Sequence, residues 1–256
     1  MSPTQIPSDS ILNKFLSLKG KNIVITGGSR GLGFIFAYAL AQVGANIAVI
    51  DIGEKPNSEN MAKLSAYGGK YEYYQANVVD YQRLKETIDR IHGDFGSIDG
   101  CISTPRIIRH QPLLEHKENG YFKDTMDVNV NGVFYTVQHC TAKMVEQKTG
   151  GSVVCIASTA GHKSLAPQEI AAYTASKYAV RGIAKQVAHE LAKTVQTDML
   201  ESVMQQNPSR RKLFVDSCAM HRLAMPDELA GIVLYLMSDA ASYTTGQDFL
   251  VDGGMV

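Results

Sequence analysis

The stretch NIVITGGSRGLG, residues 22–33, decides the fold class. Its first part, NIVIT over residues 22–26, is a β-branched run of the kind that forms a buried parallel strand. Its second part contains Gly27, Gly31 and Gly33 and leads directly into a segment with helical spacing. A strand, a glycine loop and a helix in this order predict a phosphate-binding turn, because glycine lets the backbone approach a pyrophosphate closely and a helix N-terminus offers N–H groups. The alternative is a plain tight turn.

The alternation of apolar strands and amphipathic helices continues along the chain. Predicted strands cover residues 22–26, 46–51, 71–76, 98–103, 152–158 and 248–251. Predicted helices cover residues 34–44, 58–67, 80–92, 121–147, the segment around 171–193, and 227–238. Such alternation is typical of a parallel sheet with helices on both faces. We therefore predict an α/β fold with a doubly wound, Rossmann-like parallel sheet in a single domain, residues 20–256, after an N-terminal arm, residues 1–19.

The composition excludes several classes of protein. Of the 256 residues, 25 are Lys or Arg and 25 are Asp or Glu, so bulk charge favours neither a nucleic-acid nor a membrane partner. The histidines lack metal-ligand spacing, so we expect no metal site. The four separated cysteines indicate reduced core residues, and no apolar run approaches the ~20 residues of a membrane span. These features predict a cytoplasmic protein.

Two charged residues bear on which nicotinamide dinucleotide would bind. Asp51 ends the second predicted strand, where a carboxylate accepts hydrogen bonds from the adenine ribose and repels a 2′-phosphate. Arg30, inside the glycine loop, favours the opposite choice, because a guanidinium pairs with a phosphate. Since burying like charges together is costly, we give more weight to Asp51. The prediction is NAD, with NADP as the alternative.

A tyrosine and a lysine stand one helical turn apart in AAYTASKYAV, residues 171–180. On a helix, Tyr173 and Lys177 share a face. Taken alone, this spacing favours an ordinary half-exposed helix with a packed tyrosine and a solvated lysine, because short motifs of this kind are common. The motifs elsewhere in the chain change that interpretation.

In combination, the motifs resemble those of the short-chain dehydrogenase/reductase family. The resemblance covers nearly the whole chain, from GKNIVITGGSRGLG to TTGQDFLVDGG. Between them, MDVNVNGVF at 126–134, GSVVCIASTAG at 151–161 and YTASK at 173–177 match the asparagine, serine and tyrosine motifs of the family. The stretch ASTAGHKSLAPQEIAAYTASK is most similar to the fungal-type branch that acts on polyols and ketoses or on secondary metabolites.

The resemblance implies an oxidoreductase that transfers a hydride between a nicotinamide cofactor and a secondary alcohol or ketone. Tyr173 would be the general acid/base, and the Lys177 cation would favour its ionised form and hold the nicotinamide ribose. Ser158 would bind the reacting oxygen, and Asn129 would place a water that relays protons from Lys177 to solvent. The implied partners are a small-molecule alcohol or ketone and further copies of this chain, in a homotetramer or dimer.

The resemblance also implies a set of cofactor-binding residues, drawn from the glycine loop, two strand ends, the tyrosine helix and a later loop. They are Gly27, Ser29, Arg30, Gly31, Leu32, Gly33, Asp51, Asn77, Val78, Tyr173, Lys177 and Thr197. Asn77 stands where the family usually has an aspartate that contacts adenine, and its amide can still accept a hydrogen bond.

Two stretches depart from the family pattern. STPR, residues 103–106, replaces the usual Asn-Asn-Ala-Gly, so that Arg106 either reaches a bound anion or points into solvent. After Lys193 the strand that usually precedes the threonine loop is not recognisable, which predicts six strands instead of seven. This departure favours a second function, a non-catalytic or impaired dinucleotide-binding protein that acts as a binding partner. Residues 106–122 and 199–217 are expected to line the substrate pocket.

Overall fold

A computed structural model describes residues 15–118, 120–191, 199–200, 220, 222, 224–242 and 244–252. Its centre is a parallel sheet with the strand order β3-β2-β1-β4-β5-β6. The strands are β1 (Asn22–Thr26), β2 (Asn46–Asp51), β3 (Tyr71–Gln75), β4 (Gly100–Ser103), β5 (Ser152–Ala157) and the short β6 (Met199–Leu200). The order reverses direction between β1 and β4, which is where a doubly wound sheet forms a crevice at its carboxyl edge.

Seven α-helices surround this sheet in the described part of the chain. They are α1 (Gly31–Gln42), α2 (Ser58–Ser65), α3 (Tyr81–Phe95), α4 (Tyr121–Met126), α5 (Gly132–Gln147), α6 (Ala171–Glu190) and α7 (Ala230–Met237). Asp80 caps α3, because its carboxylate accepts a hydrogen bond from the Arg83 N–H at 3.0 Å. None of these helices combines the length and the apolar character that a membrane crossing requires.

Apolar layers cover both faces of the sheet, as the prediction of a doubly wound fold requires. Successive strand residues point to opposite faces, so Val24 joins one layer and Ile23 and Ile25 join the other. The first layer packs against α3, α5 and α6, and the second against α1, α2 and α7. The fold class predicted from the sequence is therefore confirmed.

The helix predicted over residues 121–147 is interrupted. A π-helical segment, Asp127–Asn131, separates α4 from α5. Within it, the Asn129 side chain is bonded to the backbone of Ile107, which lies in the loop after β4. Insertions of this kind are frequent at functional sites, because they turn one side chain out of helical register. The prediction of one continuous helix over residues 121–147 is therefore wrong, because the π-helical segment divides it.

The end of the chain also differs from the prediction. Over 248–251, Phe249 makes a single β-bridge instead of belonging to a regular strand. The neighbouring Asp248 is bonded through its side chain to Arg181 on α6, so side-chain contacts fix this segment. The helix predicted over 227–238 begins as a 3-10 turn, Pro226–Leu229, before α7. A proline in the first turn removes a backbone donor there.

Several predictions fall outside the described residues. They concern residues 1–14 of the N-terminal arm, the chain after Lys193 where a family strand was predicted to be absent, and Thr197. Leu18, within the described part of the predicted arm, is buried, and its N–H donates to the Val43 carbonyl at 2.9 Å. β6 pairs with the carboxyl end of β5, with Met199 opposite Ile156.

Candidate active site

The loop between β1 and α1 is shaped by its glycines. Gly27 and Gly31 have φ angles of +71° and +58°, a region that glycine adopts without steric cost. A Cβ on Gly33 would collide with the Gly27 carbonyl, so α1 lies directly against the loop. Around Gly31, a Cβ would meet no atom within 4 Å. The loop therefore leaves space in front of the first turn of α1, which fits a pyrophosphate.

Asp51 lies beside this loop at the carboxyl end of β2. Its carboxylate accepts a hydrogen bond from the Ser29 N–H at 3.1 Å and another from the Ile52 N–H at 2.8 Å. Arg30 is exposed in the same loop. Leu32, in contrast, packs into the apolar layer behind α1, so its side chain supports the loop from behind. The structure thus brings Ser29 and Asp51 together and leaves Arg30 at the solvent edge.

The stretch STPR, residues 103–106, which departs from the family pattern, connects the end of β4 to the glycine loop. Ser103 is buried at the end of β4, with the Thr26 hydroxyl 3.5 Å away on β1. The Thr104 hydroxyl donates to the Thr26 carbonyl at 2.7 Å and lies 3.2 Å from the Gly27 carbonyl. Thr104 was not among the predicted site residues, although it fixes the first glycine of the loop. Arg106 is partly buried, so it is not fully swung into solvent.

The residues after β3 divide between surface and core. Asn77 is exposed, and its side-chain oxygen accepts a hydrogen bond from the Val79 N–H at 3.2 Å. Val78 belongs to the apolar layer and packs so closely on α5 that a Cβ on Gly132 would collide with it. The side chain of Val78 therefore positions the start of α5, and Asn77 remains available at the sheet edge.

The Asn129 side chain is fully buried and fixes two segments to each other. Its Oδ1 accepts from the Ile107 N–H at 2.7 Å, and its Nδ2 donates to the Ile107 carbonyl at 3.0 Å. Nδ2 also donates to the Ser176 hydroxyl at 3.1 Å, and Ser176 in turn donates to the Tyr173 carbonyl at 2.7 Å. Asn129 is therefore linked to the first turns of α6. Ser176 is a second residue that the sequence prediction missed.

Ser158, Tyr173 and Lys177 are buried at the junction of β5 and α6, with 1%, 3% and 2% of their surfaces exposed. The Lys177 ammonium donates to the Ile156 carbonyl at 2.8 Å and lies 5.6 Å from the centre of the Tyr173 ring. Tyr173 packs with Ala160, which belongs to the turn that Ser158 begins. The structure therefore places three of the predicted catalytic residues in one buried cluster.

The chemistry of this cluster follows from its burial. An ammonium removed from water is tolerated only when hydrogen bonds or a counter-charge replace its hydration. The Ile156 carbonyl holds the Lys177 ammonium over the face of the Tyr173 ring, 5.6 Å from its centre, so a positive charge lies near an ionisable phenol. The Ser158 hydroxyl accepts from the Ala160 N–H at 3.2 Å and keeps its own proton for another acceptor. A phenol, a cation and a hydroxyl in this arrangement can exchange a proton with a substrate oxygen.

Comparisons with known proteins extend over nearly the whole chain. The family model described as Enoyl-(Acyl carrier protein) reductase matches residues 27–256. A probable NADP-dependent mannitol dehydrogenase of Yarrowia lipolytica is 36% identical, over 98% of this chain and 94% of that protein. Sorbose reductase sou1 of Schizosaccharomyces pombe is 32% identical, over 95% of this chain and 98% of its own.

A solved structure agrees with the fold. The crystal structure of a short-chain type dehydrogenase/reductase from Mycobacterium marinum superposes with a TM-score of 0.90 and 32% identity, covering 96% of this chain and 99% of that one. These three proteins are named as enzymes, so they give no support to the alternative of a non-catalytic binding protein. The name of the Yarrowia protein gives no support to the predicted preference for NAD.

The shared sequence thus spans the glycine loop, most of the sheet and the buried cluster, and the fold agrees over 96% of this chain. The predicted hydride transfer between NAD or NADP and an alcohol or ketone is confirmed at that level. This chain belongs to the short-chain dehydrogenase/reductase family, and it is an oxidoreductase that acts on alcohol or ketone groups.

Proposed function

We propose that this enzyme interconverts a polyol and a ketose, with Tyr173 as the general acid/base. The observation that carries the proposal is the buried Lys177 ammonium beneath the Tyr173 ring, beside the end of β5 where Ser158 lies. The names of the Yarrowia and Schizosaccharomyces relatives support the substrate class. The similarity of residues 157–177 to the fungal-type branch supports it as well.

In this proposal the reacting oxygen lies between two hydroxyl groups. Ser158 donates a hydrogen bond to the substrate oxygen and polarises it. A nicotinamide cofactor, held by the glycine loop and Asp51, would supply or accept the hydride at the substrate carbon. In ketone reduction Tyr173 gives its phenolic proton to the substrate oxygen, and in alcohol oxidation the phenolate takes that proton back. Lys177 stabilises the phenolate through its positive charge.

Asn129 has a supporting role in the proposal. Its Oδ1 accepts one hydrogen bond, from Ile107, and a carbonyl oxygen has a second lone pair. That lone pair can hold a water between Lys177 and solvent, through which the proton leaves the site. The bonds from Asn129 to Ile107 and Ser176 keep the water position fixed relative to α6.

For the cofactor, we propose that Gly27, Gly31 and Gly33 receive the pyrophosphate and that Asp51 selects NAD. The Asp51 carboxylate is held beside the loop by two backbone N–H groups, where it would repel a 2′-phosphate. Asn77 would accept a hydrogen bond from the adenine amino group. Thr197 would contact the carboxamide, as the family resemblance implies. The Yarrowia relative is itself named as NADP-dependent, so the cofactor choice needs a direct measurement.

We also propose that the enzyme is a cytoplasmic homotetramer or dimer. The long helices α5 and α6 expose Phe134, Val145 and Tyr178, which an interface between copies would cover. Cys101, Cys140 and Cys155 are buried thiols, which suits a reducing compartment. Sedimentation that shows a species larger than the 27.9 kDa single chain is the expected result.

The test of the substrate class is a panel of polyols, ketoses and aromatic ketones, each assayed with both cofactors. We expect the highest kcat/KM for a ketose reduction or a polyol oxidation. Tyr173→Phe serves as the matched control, since it must lose turnover and still bind cofactor. A protein that binds a nicotinamide dinucleotide and turns over no member of the panel would contradict the proposal.

A further inference from the structure

The guanidinium of Arg181 joins three segments of the chain. They are helix α6, the segment around Asp248, and the Ser158 turn, which is the 3-10 turn Thr159–Gly161 that Ser158 begins. Arg181 Nη1 donates to the Gly161 carbonyl at 2.6 Å, while Nε and Nη2 donate to Asp248 Oδ2 at 3.2 and 2.8 Å. The pair is largely buried, with side-chain exposures of 19% for Arg181 and 14% for Asp248. Lys185 lies 2.9 Å from the same carboxylate oxygen and is half exposed. Asp248 therefore holds the guanidinium in the orientation that reaches Gly161.

The acceptor of this bond lies three residues after Ser158. The turn closes through the Gly161 N–H, which donates to the Ser158 carbonyl at 2.7 Å. A Cβ on Gly161 would lie 2.8 Å from the Lys177 carbonyl and 3.2 Å from Arg181 Cδ, so the turn rests on the backbone of α6. Arg181 is one helical turn after Lys177. The turn and the helix that carries Tyr173 thus meet at the point where Arg181 bonds.

We propose that Arg181 and Asp248 are a positioning pair for the reaction. Arg181 fixes the Ser158 turn to α6, and the position of the Ser158 hydroxyl relative to Tyr173 depends on that contact. Asp248, from the segment after α7, keeps the guanidinium aimed at the turn. Arginine suits this role because its planar fork bonds two acceptors at once, whereas the lysine ammonium behaves as a point charge. This inference rests on the roles proposed above for Ser158 and Tyr173.

The expected consequence lies in turnover more than in binding. A displacement of about 1 Å in a reacting group lowers a rate by up to ~10²-fold, so loosening the turn should lower kcat. The glycine loop follows β1, which β4 separates from β5 and the turn after it, so cofactor affinity should stay unchanged. Lys185 provides a matched control, because it shares the Asp248 oxygen and, among the described residues, its ammonium is not bonded to the turn.

The experiment compares Arg181→Met, Arg181→Lys, Asp248→Asn and Lys185→Met in the full chain, with the best substrate of the panel. We expect Arg181→Met to lower kcat by about tenfold or more, with KM for the cofactor within twofold of wild type. Asp248→Asn should have a smaller effect in the same direction, and the double variant should be no worse than Arg181→Met. Arg181→Lys should keep the charge pair and thermal stability while still lowering kcat. Lys185→Met should stay within twofold.

A second readout does not depend on turnover. Amide hydrogen exchange of Gly161, His162 and Lys163 should accelerate in Arg181→Met and Arg181→Lys and stay at the wild-type rate in Lys185→Met. If the panel reveals no substrate, this readout still decides whether Arg181 holds the turn. Equal exchange in all variants would overturn the inference, and so would an Arg181→Lys variant with wild-type kcat. In either case the pair would serve only to anchor the segment around Asp248.

Discussion

The glycine loop and the Ser158–Tyr173–Lys177 cluster lie at the same edge of the sheet and are built in opposite ways. The loop has its shape because side chains are missing, with space in front of Gly31 and no room for a Cβ on Gly33. The cluster depends on polar side chains that are almost completely buried, with hydrogen bonds that fix Ser158 and Lys177. A large cofactor needs open space and backbone N–H groups, whereas proton transfer needs a few groups held at fixed positions away from bulk water.

Because they are built differently, the two regions are vulnerable to different substitutions. In the cluster, deleting one functional atom removes chemistry and leaves the packing intact. In the loop, adding a Cβ to a glycine displaces the neighbouring backbone, so the effect appears in cofactor binding and in the stability of the protein. Substitutions at Tyr173, Gly33, Asp51 and Thr104 test whether the two regions respond separately in this way.

The largest effect is expected for Tyr173→Phe. Loss of the phenolic hydroxyl removes the proposed acid/base, so kcat should fall by about 10²–10⁴-fold. Cofactor affinity, measured by quenching or enhancement of reduced-nicotinamide fluorescence, should change by no more than a few-fold, because the ring still packs with Ala160 and Ile170. Retention of more than about a tenth of the turnover would sink the acid/base assignment.

Gly33→Ala should damage the loop. The new methyl would collide with the Gly27 carbonyl and lie 2.8 Å from the Thr104 hydroxyl, so backbone must shift. We expect the free energy of unfolding to fall by about 1–3 kcal/mol and the cofactor KM to rise on the order of tenfold. Gly182→Ala is the control, because a Cβ there meets no atom within 4 Å and alanine stabilises a helix. Equal cofactor KM values in the two variants would contradict a loop defined by steric exclusion.

Asp51→Ser tests the charge on which the proposed preference for NAD rests. Removing the carboxylate beside Ser29 removes the repulsion of a 2′-phosphate and leaves a hydroxyl that can still contact the ribose. We expect the ratio of kcat/KM for NADPH to that for NADH to rise about tenfold, which corresponds to ~1.4 kcal/mol. A wild-type enzyme that already prefers NADPH would show that Asp51 does not set the choice.

The sequence predicts the elements that are defined locally. Strands β1 and β2 occupy the predicted residues, because each is a continuous apolar run bounded by glycine or by Asp51. Helix α1 was predicted to begin at residue 34, but it begins at Gly31, since glycines in a first turn hide helical periodicity. The order of the motifs also suffices to place Ser158, Tyr173 and Lys177 together.

Features set by tertiary contacts could not be predicted in this way. The π-helical segment depends on a bond between Asn129 and Ile107, 22 positions apart in the chain, which helical periodicity does not encode. Thr104 and Ser176 are ordinary hydroxyl residues until the fold brings Thr104 to the Gly27 carbonyl and Ser176 to the Asn129 amide. Their roles follow from which groups of distant segments surround them, and a single sequence gives no pattern for that.

The smallest effect is expected for Thr104→Val, which asks whether the glycine loop depends on any side chain at all. The Thr104 hydroxyl donates to the Thr26 carbonyl at 2.7 Å, and valine keeps its shape without that bond. Net hydrogen bonds of this kind contribute about 1 kcal/mol, so the free energy of unfolding should fall by roughly that amount. Because the Gly27 carbonyl also loses the neighbouring hydroxyl, cofactor KM should rise about two- to threefold. This corresponds to less than the ~1.4 kcal/mol of a tenfold change.

Thr104→Ser keeps the hydroxyl and should restore wild-type KM. Thr141→Val, which removes a hydroxyl bonded within α5 to the Gln138 carbonyl, should leave cofactor KM unchanged. If Thr104→Val and Thr141→Val alter cofactor KM equally, the loop owes its shape to glycine alone, and the contrast between the two regions is sharper than the hydrogen bonds indicate.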